Sequence, residues 1–168
     1  MVDLIQKAES SITKGGDVRR AIQDLENYWM ENPDHVKGDG WVEALNGQLT
    51  HQFINGLYVR MVKMPKDMVV TTKIHKVRHP FFVLKGRCKV MTEGGVEEIV
   101  APYMGITEPG TKRLIHVLEE CVWYTVHATD KTTPEEVEEE VIAKNFSELE
   151  GGIMNEPTCH VTQREEIK

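Results

Sequence analysis

The chain has 168 residues, 40% of them hydrophobic and 28% charged, and a net charge of −7. That length suits one domain with appended elements and a core of real size, in the balance of a soluble globular protein. No apolar run approaches the roughly 18 to 20 residues that cross a bilayer, and the acidic balance argues against nucleic acid as the main partner. The start, Met1-Val2-Asp3-Leu4, has no basic stretch followed by an apolar one, so no signal peptide is expected and the cytoplasm is the expected setting.

Residues 1–50 read as a helical arm and a loop. Asp3 followed by Gln6 suits a capping box, with Leu4, Ile5 and Ala8 as a short apolar face. Gly15-Gly16 breaks that helix, and Asp17 is placed to cap a second one. In it Val18, Ala21, Ile22, Leu25, Tyr28 and Trp29 recur at helical spacing, until Asn32-Pro33-Asp34 stops it. Residues 34–50 are a Gly-, Asp- and Asn-rich loop with Trp41 as an anchor.

From about His51 the period changes to that of strands. Residues 57–64, 68–75, 81–84 and 87–92 are predicted strands. Gly94-Gly95 then signals a hairpin into 96–100, and 104–107, 113–118 and 121–127 complete the set. Short strands at this spacing predict a β-sandwich or barrel over residues 51–129. After Thr129 the helical pattern returns. Thr133-Pro134-Glu135-Glu136 supplies a capping residue, Pro at the first helical position and Glu at the third. A C-terminal acidic helix is expected over 130–152, with Val137, Val141 and Ile142 as its apolar stripe and its glutamates as a solvated face. A polar tail over 153–168 carries Cys159-His160. The three cysteines, Cys88, Cys121 and Cys159, are odd in number and form no Cys-x-x-Cys pair. They are expected to be reduced and structural.

Chemistry-bearing residues concentrate between Thr71 and His127. Alternate residues of a strand share a face, so Thr71, Lys73 and His75 are expected to point together. Tyr58 is expected to share a face with Arg60, and Trp123 with Thr125 and His127. His79 lies close enough to join His75 across the turn near Pro80. Turned into a barrel, these faces line a cavity with His, Lys, Arg, Thr and Tyr, which suits a metal, a small anion or both. His75 and His79 are candidate metal ligands, with His51, His116 or His127 as a third. Lys112 and Arg113 are a candidate clamp for a phosphate or carboxylate. Tyr58 and Trp123 are candidates to stack on a base or sugar ring. A His–Tyr acid/base pair drawn from His75 or His127 and Tyr58 or Tyr124 is a further alternative. No Gly-x-Ser-x-Gly elbow and no Walker or Rossmann glycine loop is present.

From Lys73 through Gly86 the sequence resembles the first motif of the cupins: two histidines flanking one residue, a glutamate four residues later, then a glycine. Aligned on Gly86, His75 takes the second histidine position, Lys73 the first and His79 the glutamate. Glu108-Pro109-Gly110-Thr111-Lys112-Arg113 is similar to the second motif, with Arg113 near its histidine and His116 three residues on. The resemblance covers roughly residues 51–127. It implies a mainly β fold: a single cupin-type double-stranded β-helix (jelly-roll barrel), with N-terminal helices and a C-terminal acidic helix. Two of the four usual ligand positions are basic, and such side chains bind metal poorly. Gly56-Leu57-Tyr58-Val59-Arg60, Lys73-Ile74-His75-Lys76, Pro109-Gly110-Thr111-Lys112-Arg113 and Val122-Trp123-Tyr124-Thr125-Val126-His127 together resemble small cupin-like proteins of tailed phages. That finer resemblance implies a viral origin, hence a host-cytoplasm setting, and no particular reaction.

The leading expectation is a small-molecule-binding barrel. It would hold an anionic ligand, a nucleotide or sugar phosphate, on Tyr58, Arg60, Lys73, His75, Lys112, Arg113, Trp123 and His127, and sequester a host signalling nucleotide. The rival is a metal-dependent oxygenase or isomerase/epimerase using His75 and His79 with Fe, Mn, Ni or Zn. The third reading is a structural or host-interaction protein. Exposed strand edges and the N-terminal arm predict a homodimer or higher homo-oligomer.

Overall fold

The computed structural model describes residues 6, 9, 10, 17–31 and 49–150. The expected Asp3 cap, the Trp41 loop and the Cys159 tail lie outside them. Helix α1 (Val18–Glu31) is followed by strands β1 (Leu49–Ile54), β2 (Leu57–Met64), β3 (Val69–Thr71), β4 (Ile74–His75), β5 (His79–Thr92), β6 (Gly95–Val100), β7 (Tyr103–Thr107) and β8 (Leu114–Ala128). Helix α2 (Pro134–Val141), strand β9 (Ile142–Ala143) and helix α3 (Ser147–Glu150) complete the order.

Two long strands form the spine of a mainly β, jelly-roll barrel. The first half of β5 pairs with β7 and its second half with β6. The first half of β8 pairs with β3 and its second half with β2. Between them β5 and β8 run antiparallel, with register shifts from Val83 to Cys88. One half-sheet is thus β1, β2, the end of β8, the start of β5, and β7. The other is β3, the start of β8, the end of β5, and β6. The sheet folds over on itself along a line through Pro65–Asp67, Glu119–Glu120, Leu84–Arg87 and Ala101–Pro102, the last a cis peptide.

Gly86 makes that corner. It sits at φ +88°, and a Cβ there would lie 2.1 Å from the Glu120 carbonyl oxygen. Only glycine admits both the left-handed conformation and the approach. This corrects the expected strand boundaries. Residues 81–84 and 87–92 are one bent strand, as are 113–118 and 121–127, because a bulged corner lets the ladder continue where glycine or glutamate reads as a break. The expected strand over 68–75 divides instead. Its end leaves β8 and, as β4, pairs with β9.

The half-sheets close on Val62, Phe81, Val83, Val90, Val117 and Trp123, with the thiols of Cys88 and Cys121, both free and buried, inside the same core. Outside the second half-sheet, α1 lays Val18, Ile22 and Leu25 on Met91, Leu114 and Val69. Asp17 caps it by accepting from the Arg20 amide. Helix α2 starts as its sequence predicts. The Thr133 hydroxyl accepts from the Glu136 amide while the Glu136 carboxylate accepts from the Thr133 amide. Its apolar stripe, Val137 and Val141, packs on Tyr58 and closes the barrel mouth next to β4.

Candidate metal centre

Three histidines meet inside the first half-sheet. β4 ends on His75, β5 begins on His79, and His127 lies near the end of β8, facing Tyr58 of β2. One ring nitrogen from each lies within 4.8 Å of the others. Ring centroids are 4.3 Å apart for His75 and His79, 4.1 Å for His79 and His127, and 5.9 Å for His75 and His127. The alternation of β8 puts Trp123, Thr125 and His127 on the inner face, opposite Val62, Arg60 and Tyr58.

All three imidazoles are neutral at physiological pH. Burial, then the neighbouring His79 and His127, then Arg113 and Arg60 lower His75 to about 2. Burial lowers His79 to about 4 against the Val77 carbonyl, which raises it. His127 falls to about 3 through burial, His79 and Arg60. Each ring therefore has one nitrogen with a lone pair to offer. The His79 Nδ1 lies 3.1 Å from the Val77 carbonyl oxygen, so Nδ1 carries the hydrogen and Nε2 is left as the acceptor. That Nε2, the His75 Nδ1 and the His127 Nδ1 are buried and have no hydrogen-bond partner among the described residues. Buried polar atoms are nearly always satisfied, so three orphans in touching rings mark a place built for something else. Neutral imidazoles with free nitrogens are the donor set of a divalent transition metal, and these residues fit one.

The triad opens on a cavity of about 520 Å³, within the range of small-molecule sites. Of the residues singled out from the sequence, His116 and Tyr124 do not line it, while Tyr58, Arg60, Lys73, His75, His79, Lys112, Arg113, Trp123 and His127 all do. They do not converge as expected. Lys73 sits at the mouth, ion-paired with Glu138 of α2, rather than beside His75. Lys112 is paired at 2.7 Å with Glu26 of α1, which also accepts from Thr71. The Lys112–Arg113 clamp is therefore split. Arg113 turns inward, 6% exposed, donates to the Thr107 hydroxyl at 3.0 Å and stands over the Phe81 ring. Burial lowers its pKa, yet a guanidinium stays charged at pH 7. No carboxylate among the described residues lies within ion-pair distance of it, so the chamber has a fixed positive wall.

Of the candidate third ligands, His127 joins the triad. His51 goes to the Tyr58 hydroxyl, 2.6 Å from its Nδ1. His116 pairs with Lys89 and Val69 on the second half-sheet. Trp123 stacks on Phe81 with centroids 4.6 Å apart, a core role. Two contributions were missed from the sequence: Glu26 and the α2 residues Val137, Glu138 and Val141 also line the chamber. Helical periodicity marks their inward faces and carries no sign of which barrel end they cover.

No family model matches the sequence, and no curated protein does. Among solved structures the chain is similar to a cupin-2 domain protein from Shewanella frigidimarina (14% identity, 55% of this chain and 93% of that one, TM-score 0.41). It is also similar to a cupin protein from Bacteroides fragilis (15%, 48% and 71%, TM-score 0.40). The Schizosaccharomyces pombe Cnp3 cupin domain is a third (18%, 55% and 64%, TM-score 0.43). The barrel stands on this chain's own strand register. No helix among the described residues is long and apolar enough to cross a membrane.

Proposed function

We propose that the chain is a cupin-like small-molecule protein whose barrel holds a divalent metal on His75, His79 and His127, beside a seat for an anionic ligand. The observation that carries this reading is the set of three buried ring nitrogens, each without a partner among the described residues, in rings that touch. Imidazole ligands favour zinc, iron, nickel or copper. When bound, such an ion supplies Lewis acidity and open coordination positions. The chain's own groups do the rest. Arg113 and Arg60 attract a carboxylate or phosphate, sugar phosphates and nucleotides among the candidates. The Tyr58 hydroxyl, held against His51, is positioned to give or take a proton. Val137 and Val141 exclude water from the mouth.

Metal analysis of protein purified without chelator tests the proposal, with titration of zinc or nickel into stripped protein. Stoichiometric uptake lost in both His79→Ala and His127→Ala is expected. A folded wild type that takes up none of these ions refutes it. Anion binding that persists in that metal-free protein and disappears in Arg113→Met would transfer the reading to the purely anionic binder, which the buried Arg113 favours.

A further inference from the structure

The barrel has a second chamber, of about 360 Å³, that no residue of α2 borders. Strands β6 and β7 each pair with β5 and not with each other, so a seam runs between the two half-sheets on this side. Along it Glu97 shares the inward face of Ile99, opposite Val90, and Tyr103 shares that of Thr107, opposite Val83. The Tyr103 hydroxyl donates to the Glu97 carboxylate at 3.1 Å and bridges the two strands. Gly105 lies between Tyr103 and Thr107 on the same face. A Cβ there would lie 2.5 Å from the Phe81 ring, so the missing side chain lets that ring lie against β7 and line the chamber.

Two charges in this chamber are left over. Arg113 borders both chambers and is 6% exposed, with no carboxylate among the described residues at ion-pair distance. Glu97 borders the second, and no cation among the described residues pairs with it. The other acidic residues at the rim are matched, Glu93 by Arg19 and Glu108 by Arg78. Arg113 and Glu97 sense each other across the space, since burial lowers the Arg113 pKa while Tyr103 and Glu97 hold it up. They do not meet. A buried charge without a partner is costly. A cation and an anion held apart across one cavity are the complement of a ligand that carries both signs.

We propose that this chamber is a seat for a small zwitterion, an amino acid with its carboxylate on Arg113 and its ammonium on Glu97. The guanidinium fork takes a carboxylate in paired hydrogen bonds. Tyr103 fixes one Glu97 oxygen and leaves the other for the ammonium. Phe81, Val90 and Ile99 give the carbon chain between the two charges an apolar wall. The volume falls within the range of small-molecule sites. The seat does not depend on a metal at the triad.

Calorimetric titration of the full chain, treated with chelator so that the triad is empty of metal, tests this. The probes are the unbranched ω-amino acids from glycine to ε-aminocaproate, with butyrate and butylamine as single-charge controls. One length should bind about tenfold tighter or more than either control. Glu97→Gln should lose that margin with unchanged circular dichroism, since the side chain is exposed. Glu97→Lys should reverse the preference, releasing the amino acid and binding the dicarboxylate of matching length instead. A wild type that binds no member of the series overturns the proposal. So does binding that both Glu97 variants leave untouched, and so do single-charge controls that bind as tightly as the amino acid. Zinc or nickel uptake is measured apart from these titrations, so the metal reading stands or falls separately.

Discussion

A site kept for a ligand should be a weak point of the empty protein, and His127→Leu measures this. His127 is 4% exposed, and its Nδ1 has no partner among the described residues. An unsatisfied buried polar atom costs about 1–3 kcal/mol. Leucine is of similar size, removes the orphan and keeps the slot filled. It gives up ring contacts with His79 at 4.1 Å and Tyr58 at 6.1 Å, together worth about 0.5–1.5 kcal/mol. The expected balance is a gain of about 1 kcal/mol in chelator-treated protein. At about 2–4 °C per kcal/mol for a chain of this length, the melting temperature rises a few degrees. Added metal should reverse the ranking, since an ion at a hundred times its dissociation constant stabilises the wild type by about 2.7 kcal/mol and the variant, left with His75 and His79, much less. Calorimetry of both proteins, with and without metal, gives the four numbers. A chelated variant that melts well below the chelated wild type would show that His127 is held by satisfied contacts, and the argument from orphaned nitrogens would fail.

Gly86→Ala should be destabilised by about 2–5 kcal/mol, from a left-handed alanine and a backbone shift away from the Glu120 carbonyl. Urea denaturation would show this as a midpoint lower by about 1–2 M, and an unchanged midpoint would deny the corner its role. Arg113→Met should stay folded and lose at least tenfold in affinity for phosphate or a nucleotide, since charge-assisted bonds are worth about 1.5–3 kcal/mol. Calorimetric titration checks this, and equal affinities count against the anion seat. Thr133→Ala removes the capping box of α2 and about 1 kcal/mol. Amide exchange in α2 should quicken about fivefold while β5 and β8 keep their protection.

What was legible in the sequence was local. The Thr133–Glu136 box, the Gly94-Gly95 hairpin and the shared face of Trp123, Thr125 and His127 each follow from a spacing of three residues or two, and the structure repeats them. What was not legible depended on partners far along the chain. Gly86 reads as a strand break because nothing nearby reveals that Glu120 will press against it. Lys73 alternates with His75 on paper, but a two-residue strand pairing with β9 ends the alternation and leaves the lysine to Glu138. The triad shows the same limit. His75 and His79 stand out as neighbours, whereas His127 is chosen over His51 and His116 by the register of β2 on β8. A hydroxyl at Tyr58 takes His51, and the outer-facing row of the second half-sheet takes His116.

The spine of β5 and β8 has a kinetic consequence. Position 79 opens one long strand and position 127 lies near the end of the other, so the two histidines meet only when the intervening chain has closed into a loop and the first half-sheet has formed. Pairings this distant in sequence are slow, because loop closure comes before any contact that rewards it. On the proposed metal reading, His75 and His79 alone would hold an ion only weakly in an open chain. The third nitrogen arrives only with β8. On that same reading, uptake at full strength is a clock for closure of the first half-sheet, and a refolding experiment followed by metal capture would time the arrival of β8.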